Sequence, residues 1–165
     1  MKITTIIRFM VFVFFLSIVS PLMAKYLEFN NFSFWMPDDY TFYEIQSGQA
    51  IGFQNKYNSM RIIIAKSMHH LLFIEAEIAR HKNFFGIGTW SEPKSSIINA
   101  FRIYTSIAIL KRPEGIVGGT ILIFDPLDDP SHTKPVITFV IATAGTERDM
   151  KDISQIIQSV KLISK

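Results

Sequence analysis

Three long hydrophobic segments late in the chain, Ile97 to Leu110, Ile116 to Phe124 and Val136 to Thr143, leave few options for the fold. Side chains alternate along a strand with period two. In the second segment Ile116, Leu122 and Phe124 share one face, and Val117, Ile121 and Ile123 the other. The third sets Val136 and Val140 against Ile137, Phe139 and Ile141. Strands that are apolar on both faces belong in the middle of a sheet covered on both sides. In the first segment Phe101, Ile103, Ile107 and Ile109 share a face, opposite Arg102, Tyr104, Ser106 and Leu110. Arg112-Pro113-Glu114-Gly115 suits a tight turn, and a loop over Asp125 to Pro135 makes the next link. Connections this short predict antiparallel neighbours.

The flanking segments supply the rest. Phe32 to Met36 alternates and stops at Pro37-Asp38-Asp39. Thr41 to Ile45, Gln49 to Gln54 and Met60 to Lys66 continue as a meander of strands. From His69 to Asn83 the period changes to that of a helix, with Leu71, Ile74 and Ile78 inward and Leu72, Ala76 and Ala79 beside them. Glu75, Glu77, Arg80 and Lys82 fall on its outer surface. A terminal helix opens at Thr146, with Asp149 where a capping box wants an acid. Its predicted buried stripe is Met150, Ile153, Ile157 and Val160, with Ile156 and Ile163 alongside. Lys151, Asp152, Gln155 and Gln158 face out, and Lys161 and Lys165 complement the helix dipole. Two amphipathic helices and about six to seven strands predict an α+β domain, a twisted, mainly antiparallel sheet with helices packed on it.

The first 24 residues read as an export signal, leaving residues 25–165 as a single domain. Lys2 and Arg8 form the charged start, Phe9 to Val19 the apolar middle, and Ser20 to Ala24 a breaker with a small residue at its end. The apolar stretch is shorter than the roughly 20 residues that span a bilayer. Cleavage after Ala24 is therefore expected, the alternative being an inner-membrane anchor over residues 9–23. Without Lys2 and Arg8 the formal charge of +3 falls to about +1, and no basic run outside the signal marks a nucleic-acid surface. The chain has no Cys, which excludes disulfides, thiol catalysis and a lipid anchor on Cys. An exported, disulfide-free domain suits a bacterial periplasm, with another periplasmic or secreted protein as its expected partner.

An aromatic first strand with Phe32 and Phe34 ending at Pro37, a meander, one helix, long antiparallel strands, and a closing helix over Ile153 to Leu162 resemble the Mog1/PsbP-like fold family. That family of α/β/α sandwiches includes small exported bacterial proteins of the DcrB type. The resemblance covers residues 28 to 163 and lies mainly in core patterning. It implies a fold and carries over no binding residue.

Catalytic motifs are sparse. Ser91-Glu92-Pro93-Lys94 and Ser131-His132-Thr133-Lys134 match S-x-x-K but read as proline-bearing loops, without the motifs that accompany that pair in penicillin-recognising enzymes. His69 and His70 are adjacent and would diverge by about 100° on a helix, so they do not share a metal. Asp125, Asp128 and Asp129 gather near His132 without the EF-hand spacing, and Pro126, Pro130 and Pro135 stiffen that loop. Gly86-Ile87-Gly88 is a helix stop, without the strand-to-helix setting of a dinucleotide loop. The expectation is a non-catalytic binding or accessory protein without cofactor or metal. An immunity protein plugging a toxin with its acidic loop, or a hydrolase using His132, are the alternatives. Candidate interaction residues are Trp35, Tyr43, Trp90, Asp125, Asp128, Asp129 and His132, within a chain whose first third is crowded with aromatic residues.

Overall fold

A computed structural model describes residues 25–46, 48–67, 74–82, 87–112, 115–129 and 134–163. Before the late strands come β1 (Lys25–Phe29), β2 (Phe32–Met36), β3 (Tyr40–Gln46), β4 (Ala50–Asn55), β5 (Met60–Lys66) and helix α1 (Ile74–His81). Then follow β6 (Ile87–Trp90), β7 (Lys94–Ile98), β8 (Phe101–Arg112), β9 (Gly115–Pro126) and β10 (Ile137–Thr143). Helix α2 (Glu147–Ser159) and the short β11 (Lys161–Leu162) close the described chain. The main sheet runs β3-β4-β5-β10-β9-β8-β6, with β7 continuing the edge beside β8. A second sheet, β1-β2-β11, lies apart from it. Every pairing within these sheets is antiparallel.

The apolar segments do what their patterning requires. All seven residues of β10 are buried at the centre of the main sheet. Period two sends Phe139 and Ile141 to one core, with Phe124, Leu122, Ile62 and Ile64. Val140 and Ala142 go to the opposite core, with Ile121, Ile123, Ile63 and Leu110. The first core is aromatic: Phe139 lies 5.1 Å from Phe124 and 5.6 Å from Phe34, ring centre to ring centre. Helix α1 covers the second core through Ile78. The first is covered by the small sheet as well as by α2, through Phe32, Phe34, Met36, Ile156 and Val160. The fold is thus richer in strand than a sheet with helices on it.

Several local expectations are corrected. The segment from Ile97 is two strands, because Asn99 adopts a left-handed φ of 53° and turns β7 back onto β8. Asn favours such turns because it tolerates that conformation. Asp125 and Pro126 belong to β9, so the following turn starts later than predicted. On α1, Glu77 and His81 are buried while Ala76 and Ala79 are exposed. On α2, Asp149 and Asp152 are buried and Met150 is exposed. That helix stops at Ser159, so Lys161 joins β11 opposite Ser33 instead of capping a dipole. Residues 1–24, His69, His70, His132 and Lys165 lie outside the described residues.

Partners on α1 itself and one from β10 explain the buried Glu77. Glu77 Oε1 accepts from His81 Nε2 at 2.9 Å, from Thr138 Oγ1 at 3.4 Å, and pairs with Arg80 at 3.3 Å. Burial alone would raise the Glu77 carboxyl, but the hydrogen bond and charge of His81, with Arg80 and Ser67, outweigh it and hold the group below its ordinary value. A lowered carboxylate stabilises the fold above the unfolded value, and the gain is lost as pH falls through the folded value. Glu77→Gln should therefore cost about 2 kcal/mol at pH 7. It should also flatten the fall in stability below pH 4.5, the ordinary value. Urea unfolding of both proteins from pH 7 to pH 3 measures this; parallel pH profiles would contradict it.

Candidate functional site

The two sheets meet at one corner and part beyond it. Asn30 and Asn31, both at positive φ (51° and 65°), form the two-residue turn that folds β1 back on β2. Two consecutive left-handed residues are the signature of a type I′ hairpin turn. Strand β2 is pinned from both ends. Ser159 Oγ of α2 accepts from the Trp35 N–H at 2.8 Å, and Ile163 N–H donates to Asn31 carbonyl at 2.7 Å. Pro37 ends β2, and a turn in which Tyr40 N–H donates to the Pro37 carbonyl (3.2 Å) carries the chain into β3.

Past this corner β1 stands off from β3 and β4, leaving a half-open cleft of about 520 Å³. Leu27 and Phe29 form one wall; Phe42, Ile51 and Phe53 form the other. Phe42 is 57% exposed and meets the Phe53 ring at 5.7 Å, a T-shaped contact. Tyr40 and Met36 also line the cleft, and Lys25, Glu28 and Asp38 bring charge to it. The volume falls in the usual range of ligand pockets, and the mix of apolar walls and few polar groups is typical of them.

Tyr40 connects the cleft to a buried polar network. Its hydroxyl donates to Asp152 Oδ2 at 3.2 Å. Burial, and next the Asp152 carboxylate, push the Tyr40 phenol far above its ordinary range, so it stays a donor. Burial pushes the Asp152 carboxyl up, and Asp39 and Asp149 add to this, while Tyr40 and Arg148 oppose it. Arg148 pairs with Asp39, stacks 4.5 Å from the centre of the Tyr57 ring and donates to its hydroxyl. The second oxygen of Asp39 is buried with no hydrogen-bond partner among the described residues. Asp149 is fully buried and accepts from Ser59 Oγ (2.7 Å), Asn55 Nδ2 (3.1 Å) and Thr143 Oγ1 (2.9 Å). Its own N–H donates to Thr146 Oγ1 at 3.1 Å, so only the forward half of the capping box forms. These carboxylates tie α2 to the ends of the sheet strands.

A raised carboxyl behaves in the opposite sense to Glu77. Ionised Asp152 costs stability at neutral pH, and the cost is relieved as pH falls through its folded value. Asp152→Asn keeps an acceptor for Tyr40 and removes the charge. Its melting temperature at pH 7 should be unchanged or higher by up to about 3 °C, and calorimetry showing a clear drop would contradict this.

The residues singled out in the sequence do not converge. Trp35 is half-buried against the aromatic core and Trp90 against the second core. Tyr43, also half-buried, lies over Gly52, where a Cβ would collide with its ring. Asp125 and Asp129 are buried, and Asp128 is exposed. Lys134 binds Asp128 through its ammonium and Asp129 through its backbone N–H. The ammonium holds the Asp128 carboxyl below its usual range. Asp128 and Lys134 sit in a separate depression of about 590 Å³ beside Asn99 and Lys161. Among the described residues no group of three or more His, Asp or Glu is placed to hold a metal ion. The cleft residues Phe29 and Phe42 carried a signal, since they belong to the aromatic residues that crowd the first third.

An aromatic-cored main sheet, capped on one face by a small sheet and a terminal helix and on the other by α1, defines a Mog1/PsbP-like fold. Among solved structures, the Ran-binding protein Mog1p of Saccharomyces cerevisiae is similar, with a TM-score of 0.55 and 8% identity over 87% of this chain and 97% of that one. LpqN of Mycobacterium tuberculosis, involved in cell envelope biogenesis, has a TM-score of 0.50 and 12% identity over 88% of each chain. A protein from Bacteroides thetaiotaomicron VPI-5482 has a TM-score of 0.60 and 12% identity. That match covers 87% of this chain, which spans 50% of the Bacteroides chain. No family model matches the sequence, and no curated protein does. At such identities the likeness is one of fold.

Proposed function

We propose that this chain is an exported, non-catalytic binding or accessory protein whose working surface is the cleft between β1 and β3. The observation that carries this is the cleft itself: apolar and aromatic walls, an exposed Phe42 at the mouth, and charge at the rim. Of the residues that line it, Tyr40 is engaged through Asp152 in holding α2 to the sheet. Mog1p is a Ran-binding protein, and LpqN is involved in cell envelope biogenesis; a protein partner is in keeping with the first, and an envelope location with the second. Export rests on Lys2, Arg8, the Phe9 to Val19 stretch and Ala24.

A photoreactive benzoylphenylalanine in place of Phe42 tests the surface in living cells. It should give one discrete adduct, while the same group at Ile116, which is 72% exposed, should give none. No adduct at Phe42, or the same adduct from both sites, would contradict the proposal. Mass spectrometry of the mature protein should place its first residue at Lys25; an intact residue 1 would contradict cleavage.

A further inference from the structure

We infer that the cleft takes an extended segment of a partner protein, which adds to the main sheet as a further strand on β3 and carries apolar side chains with a Lys or Arg among them. This rests on the cleft being the working surface and names its occupant.

Among the described residues, strand β3 is the outer strand on its side of the main sheet. Lys56 N–H donates to the Asp39 carbonyl at 2.9 Å, one step beyond the Tyr40–Asn55 pair that opens the β3–β4 register. Hydrogen-bonded and non-bonded pairs alternate in an antiparallel ladder. Asp39, Thr41 and Tyr43 therefore bond to β4, while Phe42 and Glu44 direct their main-chain N–H and C=O away from it. Open edges of this kind are usually blunted by Lys, Pro or a covering segment. From Thr41 to Gln46 there is neither Lys nor Pro. Phe42 is 57% exposed on one face of this edge and Ile45 37% exposed on the other; the only irregularity is a register shift near the end, between Glu44 and Gln46.

An added strand is held by main-chain hydrogen bonds and selected by pockets for alternate side chains. Here every second side chain of the added strand would lie on the Phe42 face, in the cleft walled across by Leu27 and Phe29. The charge at the rim sets the polar preference. Two carboxylates, Glu28 and Asp38, are exposed there beside the Lys25 side chain. A basic segment complements this rim. Pairing of two copies through β3 would instead bring like carboxylates together.

Selection of random decapeptides displayed on phage against the purified protein tests the inference. Enriched sequences should alternate apolar residues and carry Lys or Arg. As free peptides they should lose at least tenfold in affinity for Phe42→Asp, and as much when the amides facing β3 are N-methylated. Glu28→Lys combined with Asp38→Lys should turn the preference towards acidic peptides. Phe42 is exposed, so Phe42→Asp should keep its melting temperature, which serves as the folding control. Peptides that need Phe42 but tolerate N-methylation would overturn strand addition and leave the cleft as a binding site. The same holds if nothing is enriched over the Phe42→Asp control while the photo-adduct at Phe42 still forms. Micromolar self-association abolished by Phe42→Asp would overturn the basic-segment occupant in favour of a second copy. Loss of both the peptides and the photo-adduct would remove the cleft as well.

Discussion

Asp149→Ala should destabilise the protein by about 4 kcal/mol, lowering the melting temperature by roughly 10 °C. The carboxylate is fully buried and accepts from three side chains. Ser59 and Asn55 come from the end of β4 and the turn into β5, and Thr143 ends β10. Each hydrogen bond to a charged group contributes about 1.5–3 kcal/mol, and removing the acceptor leaves buried donors unpaired. Some of that loss is recovered by repairing within the network, since Asn55 Nδ2 also reaches Ser59 Oγ at 2.9 Å. The substitution also removes an acid from the first turn of α2, where the dipole favours one. Asp149→Asn keeps the shape and one acceptor oxygen, so it should cost about half as much. Urea denaturation followed by circular dichroism decides this, and a loss under about 1 kcal/mol for Ala would show that α2 is held by its apolar face alone.

Phe139→Ala should cost a similar 3–5 kcal/mol, for a different reason. Phe139 is fully buried on the central strand, and its ring joins Phe34 of the small sheet to Phe124 of the main sheet. Truncation removes contacts to both layers at once and leaves a cavity that rigid strands on either side cannot close. The exposed Ile109, on the same face of the main sheet but beyond the cover, is 66% exposed. Ile109→Ala should cost less than about 0.5 kcal/mol. Equal losses at the two positions would mean that the small sheet does not cap the main sheet as described.

The central strands were legible because a run apolar on both faces has one stable setting, between two covering layers. Thr146 was legible because an N-cap is a local device. The faces of the helices were not. Asp149 and Asp152 are charged, and Asn55, Thr143 and Tyr40, all on strands distant in sequence, help make their burial tolerable; Glu77 relies on His81 and Arg80 of its own helix as well as on Thr138. Pattern along one helix contains no information about such partners. The extra strands depend on turn chemistry that hydrophobic period overlooks: Asn30-Asn31 creates the β1–β2 hairpin, and Asn99 divides a segment that otherwise reads as one strand. The cleft escaped for a related reason. Phe42 and Phe53 share a face with the core strands, and only the divergence of the two sheets at Pro37 leaves one of them open.

Amide hydrogen exchange, measured with and without the partner captured through Phe42, tests whether that partner adds as a strand on β3. The Phe42 and Glu44 amides, on the outer edge of β3, should exchange quickly in the free protein and become protected in the complex. Protection confined to β7 or to the exposed end of β8 and β9, with β3 unchanged, would contradict it.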